Sequence, residues 1–134
     1  MKVVFDTNIY ISAFAIPGGK AEKAYLFAIK GYYDLYTSTA ILSETTQKLK
    51  IKFGWQDKQI IHFLKTIAKV ASVIKPKSTI HILTDEPDNR ILECACEAKV
   101  DYIITGDKHL LMLKQFQEIC IISLANFINL FSFQ

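Results

Sequence analysis

The chain has 134 residues, of which 51% are hydrophobic and 22% charged, with a formal net charge of +3. That length suits one domain with a buried core, over residues 1–134, and that composition excludes a disordered chain. No apolar run reaches the roughly 18 residues that a membrane-spanning helix needs.

Val3–Phe5 predicts a short buried strand that runs directly into Asp6, and the single lysine before it makes this a strand start and not a signal peptide. "NIYISAF" continues as an apolar turn or helix, broken at Pro17-Gly18-Gly19. "KAEKAYLFAIKG" predicts a helix stopped by Gly31, and "YYDLYTS" a second strand. "TAILSETTQKLKIKFG" predicts a helix that Ser38 or Thr39 can cap and Gly54 ends. "WQDKQIIHFLKTIAKVA" spaces Ile60, Phe63, Leu64, Ile67 and Val70 as an amphipathic helix, with His62 beside its packing face. "SVIKP" is a third strand, "DEPDNRILECACEAK" a helix and "DYIIT" a fourth strand. A short helix "KHLLMLKQF", a strand "ICIIS" and an amphipathic helix running to the C-terminus complete the order.

Short, continuous apolar strands alternating with helices predict a mostly parallel sheet covered on both faces, a three-layer α/β/α sandwich. Sites in such sheets form where loops leave the C-terminal ends of the strands. Asp6 and Asp107 both stand there, the second two residues beyond Thr105, and they face each other if the first and fourth strands are neighbours. Asp88 lies three and four residues before Ile91 and Leu92, on an apolar helical stripe, and Glu44 lies three after Ile41. Each has an ordinary alternative. Asp107 alone reads as a helix cap, Glu44 alone as a surface residue, and Asp85 with Asp88 as a capping-box pattern in which Asp85 is the cap. Together, carboxylates on apolar stripes repel one another unless a cation resolves the repulsion. Oxygen donors of this kind suit Mg²⁺ or Mn²⁺, and such a site favours metal-assisted hydrolysis of a phosphodiester. Asn8 could orient the first carboxylate and Thr105 the last, through its hydroxyl.

Charge is unevenly spread: residues 1–80 carry twelve lysines against five acids, and residues 81–134 four basic groups against eight acids. This fits either two solvated faces or a basic surface for a polyanion beside an acidic pocket. Three cysteines, Cys94, Cys96 and Cys120, make no disulfide framework, so a reduced, cytoplasmic setting is expected. The histidines His62, His81 and His109 show no spacing for zinc. His109 could touch a substrate but reads more simply as a surface residue. Trp55 and Tyr32-Tyr33 could stack on bases, with packing as the default.

"VVFDTNIYISAF", the glutamate in "ILSETTQKL", "DEPDNRILECACEAKVDYIITGDKHLL" and the closing "SLANFI" resemble a PIN domain across essentially the whole chain. They are most similar to the small single-domain proteins described as toxins of VapBC-type toxin–antitoxin pairs. The resemblance implies Mg²⁺ or Mn²⁺ held by Asp6, Glu44, Asp88 and Asp107, with Asn8 and Thr105 as polar support and Asp85 either supporting or only capping. It also implies cleavage of single-stranded RNA, a homodimer, and inhibition by an antitoxin. Two other readings compete. A haloacid-dehalogenase-type phosphatase needs an acid two residues after the first aspartate, where this chain has Asn8. A non-catalytic PIN-like module would bind RNA or protein without turnover.

Overall fold

The computed structural model describes residues 1–132. Six strands, β1 (Lys2–Phe5), β2 (Asp34–Ser38), β3 (Ala71–Ile74), β4 (Tyr102–Ile104), β5 (Gln115–Phe116) and β6 (Ile119–Ile122), form one sheet in the order β3-β2-β1-β4-β6-β5. All pairings are parallel except β5 with β6. The helices are α1 (Thr7–Ala15), α2 (Lys20–Ile29), α3 (Thr39–Phe53), α4 (Asp57–Ala68), α5 (Glu86–Ala98), α6 (Lys108–Leu113) and α7 (Leu124–Asn129). The mostly parallel α/β/α sandwich is therefore as the sequence predicts. The expected C-terminal helix is short, and Phe133 and Gln134 lie outside the described residues. Among the described residues no helix is long and apolar enough to cross a membrane.

The central strands are apolar throughout because both of their faces are covered. Val3, Val4, Phe5, Ile103 and Ile104 are all fully buried. On one face Phe5 packs edge-on against Tyr10 of α1 and Phe127 of α7, and Tyr33 also meets Phe127. On the other, α5 lies against β1, β2, β3 and β4 with Ile91, Leu92 and Ala95 buried. Helix α3 packs against α1, α5 and β2. Its start is set by Ser38, whose hydroxyl accepts the Ile41 amide, and its end by Gly54 at φ 66°.

Several local predictions are corrected. The second strand starts at Asp34, since Tyr33 is buried among aromatic rings and does not pair in the sheet. The helix expected over 108–116 stops at Leu113, and Gln115–Phe116 turns back against β6. His62 is exposed and does not pack. Asp85 is the N-cap residue of α5, but its side chain makes no capping bond and the capping box does not form.

Candidate active site at the C-terminal edge of the sheet

Parallel pairing puts Val4 beside Ile103 and Phe5 beside Ile104, so β1 and β4 end together. The Asp6 amide then donates to the Ile104 carbonyl at 2.9 Å, and the next residues of both strands leave the sheet side by side. This places Asp6 against Thr105. The Thr105 hydroxyl donates to Asp6 Oδ2 at 2.7 Å and accepts the Asp107 amide at 2.9 Å, and Thr105 is fully buried. One hydroxyl thus ties together the two strand-end aspartates. Asp6 Oδ1 accepts the Thr7 amide at 2.7 Å.

Asp107 is the cap of α6, as its residue type suggested: Oδ1 accepts the amides of His109 and Leu110 at 2.8 and 3.1 Å. It is also half-buried, and its negative charge helps to raise the carboxyls of both Asp6 and Asp88. Glu44 joins from α3. Its Oε2 accepts the Thr7 hydroxyl at 3.2 Å, and its Oε1 meets Lys48 Nζ at 3.1 Å.

Asp88 enters from the first turn of α5, one residue after Pro87. It is only 4% exposed, and among the described residues its Oδ2 has no hydrogen-bond partner. Burial raises its carboxyl to about 7, helped by the negative charges of Asp107, Asp85, Asp6 and Glu44. Asp6 is raised in the same way, chiefly by burial, although Thr105 and Thr7 work against the shift. The neighbour Asn89, fully buried, fixes the approach to the helix. It accepts the Leu83 amide and donates to the Leu83 carbonyl, both at 2.9 Å.

The four acids singled out from the sequence therefore come to one edge of the sheet. The predicted helpers divide. Thr105 does hold Asp107, through the backbone amide. Asn8 is exposed and, among the described residues, makes no side-chain hydrogen bond with Asp6. Helix α1 begins at Thr7, so that residue and not Asn8 faces the acids. Asp85 is exposed, and it shares with His109 the lining of an open hollow of about 530 Å³ beside the site. Thr7 and Lys48 were not singled out. Lys48 was legible as the i+4 partner of Glu44.

Whether these residues suit a metal can be judged from their donors. Among the described residues no three His, Cys, Asp or Glu side chains converge on a metal position. Asp6 and Glu44 spend their oxygens on Thr7, Thr105 and Lys48, and Asp107 spends Oδ1 on α6. The unpartnered buried Oδ2 of Asp88, surrounded by like charges, is nevertheless the kind of oxygen that a hard divalent ion satisfies.

Comparison with known proteins places the fold. The sequence profile described as PIN domain matches residues 2–109. This chain belongs to the PIN domain family. An uncharacterized protein of Methanocaldococcus jannaschii is 34% identical to this PIN domain over 119 residues, spanning 85% of this chain and 76% of that one. Among solved structures, a chain of VapBC-1 from nontypeable Haemophilus influenzae superposes with a TM-score of 0.63 at 19% identity, covering 93% of this chain and 99% of that one. A chain of VapBC2 from Rickettsia felis, bound to a DNA fragment from their promoter, gives a TM-score of 0.62 at 14% identity, covering 92% and 98%. These likenesses describe the PIN fold.

Proposed function

We propose that this PIN domain, over residues 1–134, is a divalent-metal-dependent endoribonuclease that hydrolyses phosphodiester bonds of single-stranded RNA. The observation that carries the reading is the buried, unpartnered Asp88 Oδ2 set among Asp6, Glu44 and Asp107 at the end of the central strands. Asp88, with Asp6, Glu44 and Asp107, would hold Mg²⁺ or Mn²⁺. A bound ion of this class supplies Lewis acidity at a phosphoryl oxygen and lowers the pKa of water. The chain's own contribution is positional. Thr105 ties the Asp6 carboxylate to the Asp107 backbone amide, and Thr7 links Asp6 to Glu44. The lysine-rich first half supports a polyanionic substrate.

The role we assign is the toxin of a toxin–antitoxin pair, acting in the cytoplasm as a homodimer and restrained by an antitoxin protein. Support comes from the VapBC complexes that share the fold, among them the one bound to promoter DNA. The failure of three acids to converge on a metal position favours one other reading, a non-catalytic module that binds RNA or protein.

Purified protein is expected to cut a labelled single-stranded RNA with Mg²⁺ or Mn²⁺ and to stop when EDTA is added. Tight, metal-independent RNA binding without turnover would instead identify the binding module.

A further inference from the structure

The four acids differ in what holds them. Among the described residues, Asp6 is held by a backbone amide and a hydroxyl, Asp107 by two helix amides, and Asp88 Oδ2 by nothing. Glu44 alone meets a cation: among the described residues, Lys48 is the one basic side chain in contact with any of the four. It sits one turn farther along α3, with 29% of its side chain exposed against 23% for Glu44. A Glu–Lys pair at this spacing is common on helix surfaces and ordinarily contributes little to stability. This pair differs in its surroundings. Glu44 Oε2 is joined through Thr7 to Asp6, so the Lys48 ammonium stands at the margin of a set of mutually repelling carboxylates.

Two consequences follow from charge alone. A divalent cation drawn to Glu44 meets an ammonium already 3.1 Å from Oε1, so the two cations compete for one carboxylate. An ammonium released from Glu44 remains on a flexible stem beside the acids, where an RNA phosphate must lie for hydrolysis, and Lys is a strong point-charge partner for phosphate. We propose that Lys48 is a functional member of the site: it neutralises Glu44 in the metal-free protein, competes with a divalent cation for that carboxylate, and binds a phosphate oxygen of single-stranded RNA. This inference rests on the metal-dependent ribonuclease reading above.

The test compares the native protein with Lys48→Met and Lys48→Arg at one fixed pH, after circular dichroism has established that all three are folded. Mn²⁺ alone is titrated calorimetrically. Binding of a nuclease-resistant phosphorothioate oligouridylate is then followed by fluorescence anisotropy over a range of salt. Lys48→Met is expected to bind Mn²⁺ about fivefold tighter, because a competing charge is gone. The same variant should bind the oligonucleotide about fivefold more weakly, with a salt slope lower by about one. Lys48→Arg keeps the charge and should stay close to the native protein in both. A helix pair too far from both ligands to act on them would leave the two affinities unchanged. Native-like Mn²⁺ and oligonucleotide affinities in Lys48→Met would overturn the role of Lys48 while leaving the nuclease reading intact. A native protein that binds neither probe would overturn both.

Discussion

The Asp88→Asn variant is expected to lose RNA cleavage and yet, without metal and above neutral pH, to melt at a higher temperature than the native protein. Both effects follow from one carboxyl. Asp88 is buried, its Oδ2 has no partner, and burial with four neighbouring acids raises it from 3.8 to about 7. Between those values the folded protein keeps a proton that the unfolded chain has released. Metal-free stability therefore falls as pH rises through the window from about 4 to 7, and the loss is complete above it. Allowing for water reaching the open site, the loss amounts to roughly 2–3 kcal/mol. Asparagine keeps the shape but carries no charge, so the variant should escape this loss. The gain in melting temperature should be roughly 5–10 °C. The burial-raised Asp6 adds a fall of the same sign that both proteins share. Thermal melts in EDTA across this pH range check the expectation. Parallel pH profiles for the two proteins would mean that Asp88 is not the strained carboxyl.

Thr105→Val should lower both stability and cleavage. Valine matches threonine in shape at this fully buried position but removes the hydroxyl. Asp6 Oδ2 then loses its 2.7 Å donor, and the Asp107 amide loses its 2.9 Å acceptor. Leaving such groups unpaired costs about 1–3 kcal/mol. The fall should be larger above the titration of Asp6 than below it, because the lost bond favours the charged carboxylate and its removal raises Asp6 further. A simple packing defect would be equally harmful at every pH. Cleavage should drop roughly 10–100-fold, the usual scale for removing a residue that orients a metal-site ligand. Thr105→Ser restores the hydroxyl and should recover most of the activity, so a serine variant as impaired as the valine variant would contradict this role.

Much of this arrangement was legible in the sequence because local and tertiary demands coincide. Val3–Phe5 and Tyr102–Ile104 are apolar without alternation, as strands covered on both faces must be, and their pairing brings Asp6 and Thr105 together. Asp107 was ambiguous between cap and site, and its geometry serves both: one oxygen caps α6 while the carboxyl's charge bears on Asp6 and Asp88. The misses have physical causes. Strand β5 is two residues long, and the chain reverses around it with Lys114 at φ 60° and Gln117 at φ 55°, neither of which is a usual turn residue. Tyr33 is buried between the rings of Phe5 in β1 and Phe127 in α7 without pairing in the sheet itself, and periodicity over a few residues does not separate the two kinds of burial. Asn8 looked like the partner of Asp6 by spacing, but the immediate start of α1 turns Thr7 toward the acids and Asn8 to solvent. Lys48 was hidden when charges were summed over half the chain, because its meaning lies in a single contact.

The measurement that bears most directly on the site is a calorimetric titration of Mn²⁺ into native and Asp88→Asn protein, both first stripped with EDTA. The native protein should bind the ion and release a proton below about pH 7, as the Asp88 carboxyl ionises to meet it, and the variant should show little binding. Equal binding by both proteins, or binding by neither, would contradict a divalent-metal site built around Asp88.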